Sequence, residues 1–289
     1  MIIRWLCAAL LAGLAGGASG AISVTDDDGH VFVLDQPARR IVTLSPSLAE
    51  IVFAVGAGDR LVGVSSYSDD PTEASKIRVV ASSGRIDIEH LRWLRPDLVI
   101  AWRTGNPARD LERIKRMRMP VFMTEPRSLM DIARVVRSIG ALTGNTNAAE
   151  ATARSFEALL ASLSITAAEP LPAFVEIWHK PLLTVNGEHL MTDILRVCGA
   201  SNVFAGIPAL TARVSPEQLL IANPRLLIVS GTAEARQSII ERWQAFKLVR
   251  AVQDGRIVVI DPRILHRQGL RIVEAVGDVC AAVRQARST

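Results

Sequence analysis

Polar and aromatic side chains stand where several aliphatic runs of this chain end. Tyr67, the single tyrosine, follows RLVGVSS in SSYSDD, and Trp102 and Arg103 close DLVIAWR. Trp178 and His179 close AFVEIWH, and His266, with Arg267 beside it, follows the run GRIVVIDPRIL. Large aromatics at the equivalent ends of separate strands suit stacking on a flat, partly apolar ligand, with a few polar groups to orient it. The bland alternative is that they pack a core or a domain interface. Covalent or acid–base chemistry needs a nucleophile with a base, or paired acids in one pocket. No such set stands out, and G-x-S-x-G, G-x-G-x-x-G and Walker phosphate loops do not occur. His179 and His266 could meet and hold a metal, but no H-x-H or H-E-x-x-H spacing supports that. No metal site and no cofactor are therefore expected, and a secreted two-domain α/β enzyme is the weakest functional reading.

A second pattern is a repeat. IDIEHLRWLRPDLVIAW (86–102) and VSPEQLLIANPRLLIVSG (214–231) each place a glutamate seven residues before a proline, Glu89 before Pro96 and Glu217 before Pro224. Both glutamates sit in the first turn of a predicted helix, where a carboxylate gains ~0.3–1 kcal/mol from the helix dipole. Asp87 and Ser215 are the expected N-caps, with Pro216 at the first helical position and Gln218 completing a capping box. Helix-start energetics alone accounts for both residues.

The elements that position these residues alternate. RIVTLS, RLVGVSS, DLVIAW and PVFMTE read as strands in the first half, and AFVEIW, RLLIVSG and GRIVVIDP in the second, with helical patterns between them. Residues 147–168, free of Pro and Gly, form the longest helical pattern. A helix of ~20 residues spans ~30 Å, the width of a small domain. AEIVFAVGAG (49–58) is similar to TDILRVCGAS (192–201), and MPVFMTEP (119–126) to RIVVIDPR (256–263), in the same order as the glutamate repeat. The expected fold is thus α/β, with two Rossmann-like lobes of parallel sheet joined by one long backbone helix and a ligand cleft between them. The expected division is a signal peptide at 1–21, an N-terminal lobe at 22–145, the connecting helix at 146–169 and a C-terminal lobe at 170–289. One rigid connection predicts modest lobe closure.

Composition agrees. Of 289 residues 49% are apolar, which suits buried parallel strands covered by helices. The net charge is only +4 and its basic residues are dispersed, which argues against nucleic acid as a partner. Arg4, the apolar run WLCAALLAGLAGGA and the small residues ASGA have the order of a secretory signal. Beyond it, Cys198 and Cys280 remain, and in an oxidising compartment they read as a disulfide, for which the chain-entropy model gives ~4–5 kcal/mol.

Together, RIVTLSPSLAEIVFAVGAGDRLVGVSSYSDDP and IDIEHLRWLRPDLVIAWRTGN resemble the periplasmic cobalamin-binding proteins, members of the helical-backbone class of substrate-binding proteins of ABC importers. The resemblance runs from about Pro37 to Ala286. Its frame is shared with haem and ferric-siderophore receptors, which are the alternative reading, while SSYSDDP and DLVIAWRTGN are closer to the cobalamin proteins. The resemblance implies a periplasmic protein, expected to be a monomer, that holds a corrinoid between its lobes and performs no catalysis. It implies ligand contacts from Tyr67 and Trp102, with Trp178 as a looser match. It further implies docking of Glu89 and Glu217 on the transmembrane permease dimer of an importer driven by ATPase subunits, and a Cys198–Cys280 disulfide. Arg103, His179 and His266 complete the candidate ligand set. The pattern is broken in the loop VASSGRID (80–87), which lacks an aromatic, and in PRILHRQGLRI (262–272).

Overall fold

The computed structural model describes residues 21–288, so the expected signal peptide at 1–21 falls, save its last residue, outside them. A hairpin of β1 (Ile22–Thr25) and β2 (Val31–Leu34) precedes the first lobe. That lobe runs β3 (Ile41–Thr43), α1 (Pro46–Ala54), β4 (Leu61–Ser65), β5 (Val79–Ser82), β6 (Arg85–Ile86), α2 (Ile88–Leu94), β7 (Leu98–Trp102), α3 (Ala108–Arg116) and β8 (Val121–Thr124). Its sheet has the order β6–β5–β4–β3–β7–β8 and is parallel except at β6. Helices α4 (Leu129–Thr143) and α5 (Thr146–Leu163) follow, packed against each other.

The second lobe runs β9 (Leu171–Glu176), β10 (Leu183–Val185), α6 (Leu190–Val197), β11 (Ala200–Asn202), β12 (Thr211–Arg213), α7 (Pro216–Ala222) and β13 (Leu226–Ser230). It continues through α8 (Arg236–Trp243), α9 (Arg250–Gln253), β14 (Ile257–Ile260), α10 (Pro262–Leu265) and α11 (Ile272–Ser288). Four of these strands make a parallel sheet in the order β11–β9–β13–β14, with β10 and β12 paired beside it. The core of the first sheet, β4–β3–β7–β8, has the same order of second, first, third and fourth strand. The three repeated sequence segments fall on equivalent elements: α1 and α6, α2–β7 and α7–β13, β8 and β14.

Strand periodicity decides where each apolar residue goes. In β7, Leu98 and Ile100 face one cluster and Val99 and Ala101 another; in β13, Leu226 and Ile228 separate likewise from Leu227 and Val229. The outer faces form a separate core in each lobe. The inner faces join α1, α4, α5, α6 and α11 in one continuous cluster that includes Ile41, Ile132, Leu160, Val175, Ile194 and Val279. The lobes therefore share a hydrophobic core, not merely a connecting helix. Among the described residues, no helix is long and apolar enough to cross a membrane.

Two expectations shift. The connecting helix was expected to reach Ala168, but α5 ends at Leu163: Ser164 turns extended, at ψ 138, and the Ile165 N–H donates to the Val197 carbonyl at 2.8 Å. Trp178 and His179 do not end a strand. β9 stops at Glu176, and the two residues lie in the turn toward β10, where Trp178 bridges Leu183.

Cys198 and Cys280 are disulfide-bonded across 82 residues and fully buried, tying the end of α6 to α11. Replacing both by alanine is expected to lower unfolding stability by roughly 2–5 kcal/mol in a denaturant titration, since the closed loop is long.

Candidate ligand-binding site

In sheets of this order, ligands bind beyond the carboxyl ends of the strands. A cavity of about 1250 Å³ lies there, between the lobes. Tyr67 and Ser83, from the loops after β4 and β5, contribute the first lobe's side. The second lobe supplies Glu176 at the end of β9 and residues 177–180 after it, Ser230 at the end of β13 and residues 231–232 after it, and Pro262 and His266 after β14. Tyr67 and Trp178 are 77% and 62% exposed, so each lobe presents one unburied aromatic to the same cavity. The Trp178 indole N–H donates to the Lys180 carbonyl at 2.9 Å, which fixes the ring's edge and leaves its faces free. Tyr67 adopts φ 63, a left-handed conformation that costs a residue with a side chain on the order of 1–3 kcal/mol.

The strain at Tyr67 is held by a residue of the other lobe. Arg267, only 9% exposed, donates to the Tyr67 carbonyl at 2.9 Å, to Asp69 Oδ1 at 3.1 Å and to Glu50 Oε1 of α1 at 2.8 Å. A neighbouring pair, Arg271 with Asp70 at 2.9 Å, repeats the link. Gly269 lies against α1 so closely that a Cβ there would come within 2.9 Å of Ser47 Cβ. Burial pushes the Glu50 carboxyl above its usual range, and Arg267 pulls against that shift.

Of the sequence-expected ligand set, the cavity gathers Tyr67, Trp178, His179 and His266. It does not gather Trp102 or Arg103. Arg103 is taken by Asp28 of the β1–β2 turn, Nε to Oδ1 at 2.6 Å, and Lys115 joins the same carboxylate at 3.0 Å. The half-buried Trp102 ring lies over Gly105, where a Cβ would sit 1.8 Å from the indole. Its backbone N–H donates to Asn106 Oδ1 at 2.8 Å, and Asn106 in turn donates to the Leu44 carbonyl at 2.7 Å. Glu89 and Glu217 are exposed at the second positions of α2 and α7, away from the cavity lining. The candidate cation cluster among the described residues, Asp26, Asp28 and His30, lies in the hairpin turn rather than in the cavity.

Sequence reading missed His189, Glu176 and Arg242, all in the lining. His266 Nε2 is 2.8 Å from Ser230 Oγ, and burial lowers its pKa. Burial, with His266 nearby, pushes His189 down to about 4, and its Nδ1 accepts the Met191 N–H. Burial also lowers His179, with help from Arg242 and Lys180. Burial thus disfavours the charged form of all three histidines, and the acidic and basic residues beside them in the lining are Glu176, Arg242 and Lys180. The one available signal for Glu176 was a glutamate inside the apolar run AFVEIW.

Arg267→Met strands the Glu50 charge and is expected to cost about 3–5 kcal/mol; adding Glu50→Gln should restore much of it, as read by denaturant titration. Burial raises Glu176 from 4.5 to about 7 despite Arg242. The native state then keeps a proton that the unfolded chain has already lost, so this contribution is full below pH 4.5 and is lost as pH rises through about 7. Between pH 4 and 8, wild type should lose on the order of 2–3 kcal/mol relative to Glu176→Gln. Parallel slopes for the two proteins would contradict it.

The periplasmic binding protein family model matches residues 41–264. The vitamin B12-binding protein of Vibrio cholerae is 32% identical over 253 residues, covering 87% of this chain and 91% of that protein. The vitamin B12-binding protein of Photorhabdus laumondii is 32% identical over 243 residues, covering 83% and 86%. Among solved structures, the periplasmic vitamin B12 binding protein BtuF of Vibrio cholerae superposes with a TM-score of 0.77 at 31% identity, over 88% of this chain and 99% of that one. The periplasmic haem-binding protein RhuT from Roseiflexus, at 24% identity and a TM-score of 0.73, shares the fold. With its paired sheets, shared inner core and cleft at the strand ends, this chain belongs to the periplasmic binding protein family.

Proposed function

We propose that this protein captures a corrinoid of the vitamin B12 type in the periplasm and hands it to an ABC importer, without catalysis. The observation that carries the reading is the cavity, whose two exposed aromatics come from opposite lobes, in a chain whose well-covered relatives are vitamin B12-binding proteins. Its volume exceeds the ~300–1,000 Å³ of common small-ligand sites, which suits a large flat ligand. Tyr67 and Trp178 stack on the macrocycle from the two sides, and the histidines offer polar contacts to its rim. Trp102, packed over Gly105 and outside the lining, is not assigned a ligand contact.

Delivery uses the matched helices α2 and α7. Each is seven residues long, is capped by Asp87 or Ser215, and ends in a left-handed residue, Arg95 or Asn223, just before a proline. Each exposes a glutamate at its second position and, four residues on, a large apolar side chain: Trp93 is 74% exposed and Ile221 86%. Residues four apart share a helix face, so each lobe carries the same charged and apolar pair. Two such faces suit a permease built from two like subunits.

Mature protein should bind cyanocobalamin at micromolar affinity or tighter by calorimetry and tryptophan quenching, and should prefer it to haem and to ferric siderophores. Preference for either of those would replace this reading. Charge reversal at both Glu89 and Glu217 should leave cobalamin affinity within about twofold and abolish cellular uptake. Survival of uptake would reduce both residues to helix-start carboxylates.

A further inference from the structure

One wall of the cavity holds polar atoms that the fold leaves without partners. Glu176, 2% exposed, pairs through Oε1 with Arg242 of α8, while its Oε2 lacks a hydrogen bond. Arg242 Nε is likewise buried without a hydrogen bond. His179 Nδ1, also without one, is 3.9 Å from Glu176 Oε2. Trp243 Nε1 lies beside the same carboxylate and makes no well-formed bond. Buried polar groups are nearly always satisfied, and a buried ion pair is seldom kept for stability, because apolar residues of similar size serve as well. Three of the residues that carry these atoms, Glu176, His179 and Arg242, line the cavity, and Trp243 packs behind them.

Their chemistry specifies a partner. A carboxylate acceptor beside a guanidinium donor is the complement of a primary carboxamide, whose NH₂ donates and whose C=O accepts. A ligand carboxylate would satisfy Arg242 but meet Glu176 as a like charge in a dry site, and a hydrocarbon edge would leave both unpaired. We propose that Glu176 and Arg242 form a carboxamide-reading subsite that selects ligands edged with primary amides against ligands edged with carboxylates. The inference rests on the corrinoid reading above. A corrinoid carries acetamide and propionamide arms, whereas haem carries propionates, so one charged pair would separate two ligands that the fold otherwise accommodates.

The test uses cyanocobalamin and its monocarboxylic acids, each with one peripheral amide hydrolysed, titrated calorimetrically at pH 8 into wild type, Glu176→Gln and Arg242→Met, with melting curves to confirm folding. Wild type should bind at least one of the acids about tenfold or more weaker than the parent amide. Glu176→Gln should bring that acid within about threefold of the amide, because glutamine's amide donates to a carboxylate. Arg242→Met should weaken amide and acid alike. If wild type binds cyanocobalamin but treats all the acids as it treats the amide, or if Glu176→Gln changes both by the same factor, the subsite is wrong and the corrinoid reading stands. Absence of cyanocobalamin binding to folded wild type overturns both.

Discussion

A single buried guanidinium holds the cavity in shape. Arg267 leaves the second lobe after α10 and ends among Glu50, Asp69 and the Tyr67 carbonyl of the first. Its charge is compensated only if those three stay where they are, so the loop that carries Tyr67 is fixed by a residue 200 positions away in sequence. The left-handed backbone at Tyr67 persists because this contact over-determines it. Without Arg267, Glu50 would lose its direct ion-pair partner, keeping only the more distant charges of Arg271 and Asp70, and the aromatic on that side of the cavity would lose its seat.

The molecule reads as one unit written twice and then welded. Both sheets use the same strand order, and both place a short capped helix before the third strand. Even the acids of α1 and α6 correspond, and each reaches beyond its own sheet. Glu50 meets Arg267, while Asp193 Oδ2 accepts the N–H of Leu129, the first residue of α4, at 2.6 Å. The shared apolar cluster runs through the same region. Lobes bonded in this way share a packed core and do not meet only at a hinge.

Much of this was legible in the sequence. Alternation of aliphatic runs with helical patterns and the repeated glutamate and proline mark local or symmetric features, and such features survive in one dimension; the long-range Cys198–Cys280 pair was legible because no other cysteine follows the signal-like segment. The strand-end rule also singled out Tyr67, Trp178, His179 and His266, which share the cavity, though Trp178 and His179 sit in the turn after β9, and it failed at Trp102, which does end β7. It misled at Arg103, because the competing acid, Asp28, sits 75 residues earlier in a turn with no strand-end signature. It was silent on Glu176 with Arg242 and on Glu50 with Arg267, because their meaning lies in pairing across 66 and 217 residues. Opposite charges that meet only in the folded state leave no spacing to read.

The last helix has a consequence for how the chain is made. α11 supplies Ile272, Val276, Val279 and Val283 to the cluster common to both lobes, and Cys280 to the disulfide. The shared core is incomplete until those residues are in place, so folding of the whole waits for α11. Loss of α11 would open that cluster and leave Cys198 without its partner, so both seals would fail together.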